Sequence, residues 1–310
     1  MNLDNLFENF PTEEELFNII MHTSTTVWNS ELAGKDIVNW LGNFTGDVIE
    51  IRYERLLALW LLSHFTYYNE QEVKHLCKVL YRDLIHSVVS NIDPKKENIN
   101  EVVNKFFEKS NIISPEETSG SGGFIAYFFR QENDLPIKGL FNFSIDNIGN
   151  DIENIIVIDD VTLTGDKDCQ MYRFLEKAKL KNPKKKFILL TLISSEASIQ
   201  FLKKEFDLMI VTSIKLDRRD RCFEKESDVF FHYTDLIDLA KSFAEYYGRK
   251  IGIADPLGFK NGQYTFGFYY NTPDNSLPIF WGQINGWIPI LKRYHKNYRN
   301  KNFLHNERFI

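Results

Sequence analysis

Two adjacent aspartates, Asp159 and Asp160, stand directly after four uninterrupted apolar residues, Ile155–Ile158, and shortly before Thr164-Gly165. Carboxylate oxygens side by side accept hydrogen bonds from hydroxyl groups or serve as hard ligands. An apolar run without alternation suits a strand buried on both faces, as in a parallel sheet, and in such sheets ligands sit at the carboxyl ends of the strands. The stretch Asp168–Lys181 can form a helix whose first N–H groups offer a site for phosphate. The same residues also fit a plainer reading, an ordinary strand end whose acids cap the next helix.

The elements that must position these groups fall into two patterns. In the first third, Thr12 and Glu15 form a capping box ahead of Leu16, Ile19 and Ile20. Tyr53–Tyr68 reads as a buried helix, and Glu70–Val89 repeats apolar residues on one helical face. Asn98–Lys109 gives a further short helix. We therefore expect an α-helical domain over residues 1–108. His22, His64, His75 and His86 lie in it without metal-ligand spacing.

From residue 109 strands and helices alternate, the pattern of an α/β domain with a parallel, doubly wound sheet. The expected strands are Asn111–Ile113, Ile137–Phe143, Ile155–Ile158, Phe187–Ile193 and Leu208–Ile214. The expected helices are Phe124–Asn133, Asp168–Leu180 and Glu196–Phe206. A glycine-rich loop, Thr118–Gly123, precedes the first of these helices, and small residues there let backbone amides approach an anion. From about 216 a C-terminal extension follows, in which Ser227–Tyr247 reads as a helix and Tyr264–Tyr270 as an aromatic strand.

The order of strand, glycine-rich loop, helix, strand and acid-ended strand resembles type I phosphoribosyltransferases. Together with SGSGGFIAYFFRQEN, ADPLGFKNGQ and NTPDNSLPIFW, it resembles a divergent phosphoribosyltransferase-like family of bacterial conflict and anti-phage gene neighbourhoods. The resemblance implies an enzyme acting at ribose C1′ of a nucleotide or phosphoribosyl diphosphate. It places the ribose diol on Asp159 and Asp160, directly or through Mg²⁺. It places the C5′ side on Thr162, Thr164, Gly165, Asp166 and Lys167, and pyrophosphate on Ser119, Gly120, Ser121 and Gly122. The extension would act as a hood over the site. The alternative is a non-catalytic nucleotide or phosphoribosyl diphosphate sensor that regulates a protein partner, with the helical domain as a possible docking part.

The chain also departs from that family. Asp166 would repel a 5′-phosphate unless Lys167 or a metal offsets it. Leu163 stands where purine-salvage members often carry an acid, and Leu163 cannot move a proton. The segment Ser144–Glu153 is short for a lid, which leaves hydrolysis as a competitor of transfer. Arg218 and Arg219 form a possible phosphate clamp, with a solvated loop as the competing reading.

Composition narrows the classes further. The chain has 310 residues, a net charge of −6 and three widely spaced cysteines. An acidic balance disfavours bulk nucleic-acid binding; Lys292 to Ile310 mixes basic and aromatic residues in a way that could contact single strands, with a solvated terminus as the favoured reading. The odd cysteine count suggests free thiols in a reducing cytoplasm. The longest apolar run, Leu56–Leu62, is too short to span a bilayer.

Overall fold

The computed structural model describes residues 3–90, 92–93, 97–115, 120–137, 140–141 and 144–294. The helices are α1 (Leu3–Leu6), α2 (Glu13–Thr26), α3 (Gly34–Leu41), α4 (Ile51–Ser63), α5 (Glu70–Val89), α6 (Ile99–Glu108), α7 (Ser121–Glu132), α8 (Gln170–Lys181), α9 (Glu196–Phe206), α10 (Ile237–Ile251) and α11 (Pro278–Trp281). The strands are β1 (Thr66–Tyr68), β2 (Ser110–Ile113), β3 (Asn154–Thr162), β4 (Lys186–Ser195), β5 (Met209–Leu216) and β6 (Phe266–Phe268).

The central sheet is parallel throughout, in the order β2-β3-β4-β5. Phe141 adds an isolated parallel bridge to Ile112. Of the expected strand Ile137–Phe143, Ile137 and Leu140 are instead bend and turn, and residues 138–139 and 142–143 lie outside the described residues. The chain thus leaves β2 through α7 towards one edge, then returns to β3 and winds through α8 and α9 towards the other. The carboxyl ends of β2 and β3 flank the point where the winding reverses. In open α/β sheets that is where ligands sit.

Strand alternation sorts the core. Ile155 and Val157 pack with Met171, Tyr172, Leu175, Leu202 and Phe206 of α8 and α9. Ile156 and Ile158 pack on the other face with Ile125 and Phe129 of α7, and with Val73, Cys77, Leu80 and Leu84 of α5. Both faces of β3 are covered, which explains the unbroken apolar run. Helix α5 therefore belongs to the sheet's own core.

Helices α2 to α4 belong to another core. They share a cluster with residues from Cys222 to Leu291. Trp40 donates its indole N–H to the Ile279 carbonyl at 2.8 Å. The fully buried Glu54 accepts from the Gly46 and Val48 amides and from the Tyr247 hydroxyl of α10. The hydrophobic cores are thus divided otherwise than at residue 108: the first third feeds both.

The Thr12–Glu15 capping box is present, with the Glu15 N–H donating to Thr12 Oγ1 at 3.2 Å and the Thr12 N–H to Glu15 Oε2 at 2.8 Å. Three local expectations are corrected. The helix expected over Tyr53–Tyr68 ends at Ser63. Thr66–Tyr68 instead pairs in parallel with Phe266–Phe268, because β-branched and aromatic residues suit a pleated ladder. In the segment Ser227–Tyr247 the long helix starts only at Ile237, after a 3₁₀ turn at Thr234–Leu236. Ser121–Gly123 are not loop but the first turn of α7. Among the described residues, no helix is long and apolar enough to cross a membrane.

Candidate functional site

Strand β3 continues four residues past the apolar run, so both aspartates are strand residues. Asp159 and Thr162 are in register with Thr191 and Ser194 of β4. Successive strand side chains point to opposite faces, so the two carboxylates diverge. Asp160 is buried, and its Oδ2 accepts the Tyr270 hydroxyl at 3.3 Å. Asp159 is half-buried, and its Oδ1 lies 3.1 Å from where a Gly122 β-carbon would stand in the first turn of α7. Each acid also fastens the strand end: Asp159 Oδ1 accepts the Asp160 N–H at 2.9 Å and Asp160 Oδ1 the Val161 N–H at 2.8 Å.

Both aspartates nevertheless line one cavity of about 240 Å³. Its floor is Asp159 to Thr164. Its sides are Ser121 at the start of α7 and Asp168 to Met171 at the start of α8, and its far wall is Phe259, Asp274 and Asn275. Thr162 is 5% exposed and its hydroxyl has no hydrogen-bond partner. An orphaned buried hydroxyl is uncommon, and this one belongs to a residue that lines the cavity.

The expected site residues divide cleanly. Asp159, Asp160, Thr162, Thr164 and Ser121 come together at the cavity. Gly120 is the N-cap of α7 and Gly122 lets α7 approach the Ile158 carbonyl. Ser119 lies outside the described residues. Gly165 packs against α9, where a β-carbon would meet the Ala197 carbonyl at 3.0 Å. Asp166 is paired with Lys260 at 3.0 Å and Lys167 with Glu205 at 3.2 Å, so neither side chain is on the cavity wall. Arg219 is bound to Asp217 at 2.9 Å and lines a different cavity, beside Tyr68 and Tyr264. Its neighbour Arg218 shares the same 3₁₀ turn, also away from the aspartates. Arg221 pairs with Glu224 at 2.8 Å.

Electrostatics favour a cation or a hydroxyl-rich ligand. Four carboxylates line the cavity, those of Asp159, Asp160, Asp168 and Asp274. Lys260 reaches Asp168 at 3.3 Å and Arg293 reaches Asp274 at 3.0 Å. Burial lowers the Arg293 pKa, against the pull of Asp274 and Asp160. Burial and then the Asp160 and Asp159 charges push Tyr270 well above its ordinary value, so its hydroxyl remains a donor. Carboxylate oxygens fit Mg²⁺, which is typically held by one or two carboxylates plus waters and substrate phosphates. Among the described residues, no ready-made group of three His, Cys, Asp or Glu side chains is present for a metal.

The sequence signals missed Tyr270, Arg293, Asp168 and Lys260. The segments ADPLGFKNGQ and NTPDNSLPIFW, dense in Pro and Gly, entered only through the family resemblance. The structure explains their density: β-carbons at Gly258 and Gly262 would overlap the Asn275 carbonyl.

The model of the PRTase-CE family matches residues 37–293. Five solved chains also match. One is a Helicobacter pylori xanthine-guanine-hypoxanthine phosphoribosyltransferase, 13% identical, with 50% of this chain and 85% of that one covered and a TM-score of 0.30. Another is the AQ2163 protein from Aquifex aeolicus, 11% identical, with 60% and 86% covered and a TM-score of 0.29. No curated protein matches.

Proposed function

The chain belongs to the PRTase-CE family, and we propose that it is a phosphoribosyltransferase-like enzyme acting at C1′ of a ribose in a nucleotide or in phosphoribosyl diphosphate. The observation that carries this reading is one cavity, at the winding reversal of the sheet, holding Asp159 and Asp160 beside the orphaned Thr162 hydroxyl.

In this reading Asp159 and Asp160 accept the ribose 2′ and 3′ hydroxyls. Thr162 and Thr164 face the C5′ side, and Ser121 with the first amides of α7 faces the leaving group. Carboxylates fixed on a sheet need no reorganisation as positive charge develops at C1′, which is the main electrostatic means of lowering such a barrier. Mg²⁺, held by Asp159 or Asp160 together with ligand oxygens, would offset the charge of a diphosphate. Phe259, Asp274 and Asn275 form the opposite wall and limit water at C1′. An effector role in anti-phage defence is part of the proposal.

The test incubates purified protein with Mg²⁺ and nucleotides, NAD or phosphoribosyl diphosphate, with products read by mass spectrometry. Release of base, phosphate or pyrophosphate is expected, and its loss in Asp159→Asn/Asp160→Asn with folding intact. A double variant of full activity refutes the site. Binding without any product identifies a sensor. For the defence role, cells carrying the double variant should plate phage as efficiently as cells without the gene.

A further inference from the structure

The far wall of the cavity has a construction that the ribose reading leaves unused. Asp274 Oδ2 receives Arg293 Nη2 at 3.0 Å. The Arg293 side chain is 13% exposed, whereas that of Asp274 is 50% exposed. Arg293 also donates to the Thr272 carbonyl at 2.5 Å and lies 4.9 Å over the Trp281 ring. The Thr272 N–H in turn donates to the Lys292 carbonyl at 3.0 Å. A guanidinium is thus withdrawn from water to aim a carboxylate at the cavity. An ordinary surface ion pair contributes little and needs no such burial.

Asn275 stands beside it and is 6% exposed. Its Nδ2 donates to the Phe259 carbonyl at 3.2 Å, which fixes the amide and leaves the side-chain oxygen as an acceptor. The Phe259 N–H is already engaged by the Asp274 carbonyl at 2.7 Å. Asp274 Oδ1 and Asn275 Oδ1 therefore give this wall two acceptors, beside the Phe259 ring, and the Phe259 N–H does not compete with them.

Acceptors need donors. We infer that Asp274, positioned by Arg293, and Asn275 select the group carried at ribose C1′ for an amino function, as in an amino-substituted nucleobase or a carboxamide. The selection rests on the ribose reading above, because the aspartates on the opposite floor hold the sugar that delivers this group. A ligand carrying a carbonyl or a bare ring edge there would face fixed lone pairs and lose the hydrogen bonds. Leaving a site built for a donor unpaired is the stronger form of discrimination.

The experiment measures calorimetric affinities of the full chain for adenosine against purine riboside and for guanosine against inosine, pairs that differ by one amino group. The amino-bearing member of the tighter-binding pair should be favoured by about 10- to 100-fold, the range of a hydrogen bond to a charged group. Asp274→Leu/Arg293→Met replaces the ion pair by apolar groups and strands no buried charge. It should reduce the preference to within about twofold while Asp159-dependent binding persists. Asp274→Asn, which keeps the shape, should give an intermediate preference and shows the effect if the double variant does not fold. A preference retained at its full wild-type size in the folded Asp274 variants overturns the inference. Asp159-dependent binding without preference overturns it and leaves the ribose reading standing. No binding of any nucleoside overturns the inference, while the ribose reading is judged separately by the product assay with nucleotides and phosphoribosyl diphosphate.

Discussion

Gly122→Ala should damage the site more than the fold. A β-carbon there would collide with Ser114 Oγ and lie 3.0 Å from the Ile158 carbonyl and 3.1 Å from Asp159 Oδ1. Two of these three are strand atoms of β3, so α7 and the strand must part by a few tenths of an ångström. Overfilling a packed contact of this kind costs about 1–3 kcal/mol. For 310 residues at about 2.1 cal/mol/K of unfolding entropy per residue, that corresponds to a Tm lower by roughly 2–5 °C. The displaced carboxylate should weaken ribonucleoside binding by about tenfold, the equivalent of about 1.4 kcal/mol. Calorimetry for Tm and titration for affinity read the two effects separately. Adding Ser114→Ala should recover part of the Tm, since the hydroxyl contact is gone, yet little of the affinity, since the Asp159 contact remains. A Gly122→Ala protein with wild-type Tm and wild-type affinity refutes the argument that this glycine exists to let α7 reach Asp159.

Two further outcomes are expected. Tyr270→Phe keeps the ring stacked 5.2 Å from Phe268 and in edge contact with Phe124 at 5.0 Å but removes the donor to Asp160. The loss of one hydrogen bond, about 1 kcal/mol, should lower ligand affinity about fivefold, and affinity unchanged would show that the hood does not position Asp160. Asp166 is held below the usual carboxylate range, first by the Asp168 N–H and then by Lys260. A depressed carboxyl stabilises the fold above its unfolded pKa, near about 4, and that contribution is lost as pH falls through the lower native value. Asp166→Asn should therefore flatten the acid side of a Tm-against-pH curve below about pH 4, and identical acid limbs would contradict the pairing with Lys260.

The sheet was legible because its strands are buried on both faces and carry unbroken apolar runs; β3 and β4 are the clear cases. The full length of β3 was not, because Asp159 and Asp160 look like a strand end by residue type and are held in the ladder by pairing with β4. The aspartates, Ser121, Thr162 and Thr164 were readable as a local motif. Tyr270 and Arg293 were not, since their relation to Asp160 spans more than one hundred residues and no spacing encodes it. Lys167 and Arg219 show the opposite case: a cation near a motif reads as a clamp, and the structure pairs these two with Glu205 and Asp217.

The shared core of α2–α4 with residues 222–291 has a consequence for how the molecule matures. Contacts such as Trp40 to Ile279 close loops of more than two hundred residues, and distant closures of this kind slow folding. During synthesis the early helices expose apolar faces whose natural covering is still untranslated, a state prone to aggregation. Phe259, Asp274 and Asn275 reach their places only when that covering docks. A nascent chain therefore carries Asp159 and Asp160 about one hundred residues before the far wall of their cavity has been translated.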